Sequence, residues 1–172
     1  MARDEGLQGI RGQILNIPVT CHPDHNPTQG TKTSYHENAH APIVDAEMMR
    51  WFWKNYLPTG EADSRSSPLL ETSLQDMPPA LVQVAGRDPL RDEGIAYAKR
   101  LTDSGVNVTL KLYSGLPHAF HIYPELEATA EYIRAMIDWI KNLDGLGMTT
   151  TSTLDNGENS SSYSYEPGQL EP

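Results

Sequence analysis

Ala80-Leu81-Val82-Gln83-Val84-Ala85-Gly86-Arg87-Asp88-Pro89-Leu90-Arg91-Asp92-Glu93-Gly94 is a short apolar run that breaks at glycine, turns through Asp-Pro and enters a charged stretch. The Val- and Leu-rich first half, bounded upstream by Pro78-Pro79, predicts a buried strand, and the second half predicts a helix over 92–101. Two further strands are expected at 13–17, around Gln13-Ile14-Leu15-Asn16-Ile17, and at 106–113, from Val106 to Tyr113. Helical spacing of apolar residues recurs at 45–56, with Met48, Met49, Phe52 and Tyr56 on one face. It recurs again at 125–143, with Leu126, Ala130, Ile133, Ile137 and Ile140 alternating by four and three. Strands alternating with helices predict an α/β fold built on a parallel sheet of three strands.

In such a sheet functional residues gather on loops at the carboxyl ends of the strands. Asp88 follows the second predicted strand. His118, in Leu116-Pro117-His118-Ala119-Phe120, follows the third. Both fall on one edge of the sheet. Asp88 before Pro89 also fits a helix N-cap with proline at the first helical position, and a lone histidine is ordinarily a satisfied surface or core residue. Together they make a different chemistry available. An imidazole works as a base when a carboxylate holds its other nitrogen, fixing the tautomer and steadying the imidazolium. The candidate catalytic residues are therefore Asp88 and His118.

Other polar clusters read as structural. His22-Pro23-Asp24-His25, with His36 and His40 beyond, lacks a zinc-type spacing and reads as a loop, so neither metal nor cofactor is expected. Trp51, Phe52, Trp53 and Tyr56 fit a core-facing helix, with lining an apolar substrate pocket as the alternative. Asp92 and Glu93, adjacent on a first helical turn, suit the helix dipole. The chain carries 13 Lys and Arg against 23 Asp and Glu, a net charge of -10 over 172 residues that argues against nucleic acid and anionic surfaces as partners. One cysteine, Cys21, excludes an intramolecular disulfide, and no apolar run reaches membrane-spanning length; a cytoplasmic protein is expected. No basic residue follows Lys141, and the Gly-, Ser-, Thr- and Asn-rich stretch 146–172 predicts a disordered acidic tail behind one domain, 1–145.

Two segments carry a family resemblance. Residues 78–94, followed by Tyr97-Ala98 and Leu101, resemble the acid-bearing segment of hormone-sensitive-lipase-like carboxylesterases of the α/β-hydrolase superfamily. Tyr113-Ser114-Gly115-Leu116-Pro117-His118-Ala119-Phe120 resembles their histidine segment. The resemblance runs from Met1 to about Leu143. It implies that Asp88 is the triad acid and His118 the triad base of an esterase acting on small apolar esters, on the C-terminal half of the fold. Gly-x-Ser-x-Gly and His-Gly-Gly-Gly are absent from the sequence, and by resemblance the nucleophile falls just upstream of Met1. Ser114 is the nearest hydroxyl to His118 but has no elbow to present it. The expectations are a chain inactive alone, with an apolar sheet edge near Ile14 to Ile17 open to self-association or to pairing with an N-terminal half. The alternatives are a non-catalytic binding module and one half of a split hydrolase.

Overall fold

A computed structural model describes residues 3–27 and 33–143, so the predicted tail 146–172 lies outside the described residues. Three strands, β1 (Gln13–Asn16), β2 (Ala80–Arg87) and β3 (Val108–Pro117), pair in parallel in the order β1-β2-β3. Among the described residues four α-helices accompany them: α1 (Ser34–Glu37), α2 (Ala46–Tyr56), α3 (Arg91–Asp103) and α4 (Glu127–Lys141). The α/β class and the parallel sheet are as the sequence predicts. The third strand starts two residues later than expected, at Val108, and runs on to Pro117.

β2 is buried along Ala80 to Ala85, which is why its sequence is a continuous apolar run rather than an alternating one. One face of the sheet packs against α3, where Val82, Val84, Tyr97, Ala98 and Leu101 form the largest core. The other packs against α4 through Ala85, Tyr113, Phe120 and Tyr132. A third cluster joins α1 and α2 to the turn after β2, with Tyr35, Ala46, Met49 and Trp53 closing over Leu90.

Two helices bury only part of what their periodicity suggests, α2 keeping Met49 of its expected face and α4 turning its isoleucines outward. On α2 the buried side chains are Ala46, Met49 and Trp53, while Met48, Trp51, Phe52 and Tyr56 are exposed. On α4 Thr129, Tyr132 and Trp139 face the sheet, and Ile133, Ile137 and Ile140 are exposed. The apolar stripe on α4 is wider than the surface the described sheet offers. Its aromatic flank docks, with Tyr132 against the rings of Tyr113 and Phe120. Trp139 lies so close to Gly12 that a Cβ there would sit 2.5 Å from its ring, so only glycine allows this approach.

Candidate active site

The edge formed by the carboxyl ends of β2 and β3 is brought together by an irregularity in their pairing. Ala85 pairs with Tyr113, but the next matched pair is Arg87 with Pro117, so β3 spends additional residues where β2 spends only Gly86. Gly86 makes this possible: a Cβ on it would approach the Gly115 nitrogen and Ser114 Cα to 3.0 Å. Gly115 takes up the slack at φ 74°, a left-handed conformation that glycine adopts freely. Because Arg87 and Pro117 are partners, the next residues on the two strands, Asp88 and His118, emerge side by side.

Their side chains meet. His118 Nδ1 lies 2.8 Å from Asp88 Oδ2, with the Asp88 side chain 1 % exposed and the His118 ring 22 % exposed. The carboxylate is anchored at its other oxygen too, where Asp88 Oδ1 accepts from the Leu90 N–H at 2.9 Å. That bond belongs to the turn ahead of α3, which begins at Arg91, so Asp88 precedes the helix instead of capping it from the Ncap position, which Leu90 occupies. With Nδ1 engaged by the carboxylate, Nε2 is the ring nitrogen available to exchange a proton. Ala119, next in sequence, is left-handed at φ 56° and swings the chain away into a 3₁₀ turn, Phe120–Ile122. His121, in that turn, stacks flat on Tyr132 with ring centroids 4.8 Å apart. Burial first, then the neighbouring His118, pulls the His121 pKa below the ordinary histidine value, which favours its neutral form beside the dyad.

The acid turn is also held from outside. Ser34 Oγ donates to the Pro89 carbonyl at 2.6 Å, and Asn38 Nδ2 donates to the Asp88 carbonyl at 3.1 Å. Asp92 Oδ2 accepts from the Ser34 N–H at 2.7 Å, and Arg91 reaches Glu37 Oε2 at 2.7 Å. Sequence reasoning read this stretch as a histidine-bearing loop and missed it. Neither Asp92 nor Glu93 is a simple dipole partner. Glu93 is fully buried, with Oε1 accepting from the N–H groups of Thr20 at 2.7 Å and Cys21 at 3.2 Å. Its burial was legible in principle, since Glu93 shares a helical face with Tyr97 and Leu101. Burial outweighs these bonds and raises the Glu93 pKa from 4.5 to about 8.

Among the described residues no cluster of His, Cys, Asp or Glu is arranged to hold a metal ion. His22 accepts from the Asp24 N–H and packs edge-on against Trp53, and His36 bonds Thr33. No described helix is long and apolar enough to cross a membrane.

A parallel sheet with helices on both faces and polar side chains meeting at the carboxyl ends of adjacent strands is an α/β architecture with its candidate site where such sheets carry one. The profile of a family described as alpha/beta hydrolase fold matches residues 1–122, and the chain belongs to that family. It is 37 % identical over 142 residues to an AB hydrolase superfamily protein of Schizosaccharomyces pombe, a match spanning 80 % of this chain and 42 % of the relative. To the ethyl acetate hydrolase of Pseudomonas putida it is 33 % identical over 123 residues, spanning 70 % of this chain and 36 % of the relative. Among solved structures, an esterase of Rhizomucor miehei superposes with a TM-score of 0.73 at 31 % identity, over 86 % of this chain and 45 % of that one. The chain spans less than half the length of these relatives.

Proposed function

We propose that Asp88 and His118 are the acid and base of a serine carboxylic ester hydrolase, with the nucleophile and oxyanion donors on polypeptide outside this sequence. The observation that carries this reading is the 2.8 Å contact between His118 Nδ1 and a buried Asp88 carboxylate at the carboxyl edge of the sheet. In the reaction His118 Nε2 takes the serine hydroxyl proton as the oxygen attacks the ester carbonyl, then delivers it to the departing alkoxide. It next takes a proton from the water that cleaves the acyl-enzyme and returns it to the serine, releasing the carboxylic acid. Asp88 holds the Nδ1–H tautomer and stabilises the imidazolium without accepting the proton. Names such as ethyl acetate hydrolase among the relatives support short acyl esters as substrates.

The sequence contains no Gly-x-Ser-x-Gly, so the chain alone does not turn over esters. Loss of a triad serine costs about a million-fold in turnover, even where an oxyanion hole remains. The surface that supports pairing with the nucleophile-bearing polypeptide is the open edge of β1, continuous with the isoleucine flank of α4. Tyr132 meets Tyr113 on β3, whereas Met136 Sδ accepts from Asn16 Nδ2 of β1 at 3.1 Å. Ile140, Ile133 and Ile137 follow round the helix in the same sense and so look past β1.

The test is steady-state hydrolysis of p-nitrophenyl acetate by the chain completed with a nucleophile-bearing half. Asp88→Asn is expected to lower kcat by about four orders of magnitude by favouring the wrong histidine tautomer. Unchanged kcat in that variant refutes the assignment of the acid.

A further inference from the structure

We infer that Ser34 and Asn38 are positioning residues, a buried bracket that aims the Asp88 carboxylate at His118. The two residues are four apart and stand on one face of the short helix α1 and its C-terminal cap. Both are buried, at 1 % and 8 % exposure. Each spends its side-chain donor on a carbonyl of the acid turn, Ser34 Oγ on Pro89 and Asn38 Nδ2 on Asp88 itself. Ser34 is bonded again by the next turn of chain: the Asp92 N–H donates to its Oγ at 3.2 Å, and its own N–H donates to Asp92 Oδ2.

The geometry of the carboxylate explains why such a bracket matters. Asp88 sits between the end of β2 and the start of α3, and among the described residues its Oδ1 accepts from the Leu90 N–H within the same turn. A local turn bond sets the rotamer relative to the turn, and leaves the turn free to pivot about the end of the strand. Contacts from a segment some fifty residues earlier remove that pivot. The Asn38 bond is made to the carbonyl of the very residue whose side chain reaches His118. Leu90, buried against Tyr35, Met49 and Trp53, adds a packing anchor on the same side. The bracket serves catalysis only if Asp88 and His118 are acid and base, as proposed above, yet its effect on their contact is measurable in either case.

The test uses the full chain labelled with ¹⁵N at histidine, reading the His118 tautomer from two-bond ¹H–¹⁵N correlations. Asp88→Asn defines the signature of a lost contact. Asn38→Asp replaces the amide donor with an acceptor facing the Asp88 carbonyl, and Ser34→Ala removes the hydroxyl; both are expected to shift the population from the Nδ1–H tautomer toward the Asp88→Asn signature. Ser34→Thr, which keeps a hydroxyl, is expected to match the parent. Parent-like tautomer populations in both Asn38→Asp and Ser34→Ala overturn the inference. Loss of the dispersed folded spectrum in both overturns it too, because the contacts would then hold the fold and not aim the carboxylate.

Discussion

At the scale of single residues, two buried carboxylates within one helical entry have been given opposite tasks by their surroundings. Asp88 faces an imidazole and a backbone N–H, while Glu93 is sunk in the core with one oxygen on two backbone N–H groups and the other, Oε2, with no hydrogen-bond partner among the described residues. A carboxyl whose folded pKa is raised binds its proton more tightly in the folded chain. The stability Glu93 contributes is therefore fully present below its unfolded value near 4.5 and is lost as pH rises through about 8. Urea midpoints should fall between pH 5 and pH 9 in the parent, and the fall should be smaller in Glu93→Gln, which keeps an acceptor for Thr20 and Cys21 without the titration. Equal slopes in the two proteins would assign the pH dependence to other groups. Leu90→Ala, at the junction of the acid turn with α1 and α2, should cost roughly 2–5 kcal/mol by the same urea measurement, as buried leucines do.

At the scale of elements, the exposed isoleucines and the buried aromatics of α4 should respond oppositely to substitution. Trp139→Ala should destabilise by roughly 3–5 kcal/mol in urea melts, whereas Ile137→Lys should change stability by about 0.5 kcal/mol or less. A large loss of stability in Ile137→Lys would mean that this flank is already packed. The same helix shows what the sequence could and could not reveal. Its existence followed from period alone, as did β2 from its apolar run, and the carboxyl ends of β2 and β3 placed Asp88 and His118 on one edge before any distance was known. The face it buries did not follow, because period cannot tell a stripe packed across its whole width from one packed along a single flank; that depends on how far the sheet extends beneath it. For α2 the same ambiguity leaves the periodic face Met48, Met49, Phe52 and Tyr56 and the stripe Trp51, Phe52, Trp53 and Tyr56 both open, and the structure buries only Met49 of the first and Trp53 of the second. The bracket from α1 was illegible for another reason: Ser34 and Asn38 lie in a stretch with no apolar period, and bonds from side chains to distant carbonyls leave no local pattern.

At the scale of the whole molecule, the described sheet is three strands wide with β1 and β3 at its edges, and the chain spans less than half the length of the α/β-hydrolase relatives it matches. The imidazole–carboxylate pair is assembled within these three strands, by the pairing of Arg87 with Pro117 and the clamp on the turn that carries Asp88. If His118 and Asp88 are base and acid as proposed, they need a nucleophile to deprotonate, and the proposal puts that group on other polypeptide. The measurement that bears on this most directly is labelling with a fluorophosphonate, read by intact mass, on the chain alone and on the chain completed by a nucleophile-bearing half. No adduct is expected on the chain alone, and in the completed protein a single adduct on the contributed serine that His118→Ala abolishes or slows by orders of magnitude. A stoichiometric adduct on any serine of the chain alone, or undiminished labelling of the completed protein carrying His118→Ala, would contradict the proposal.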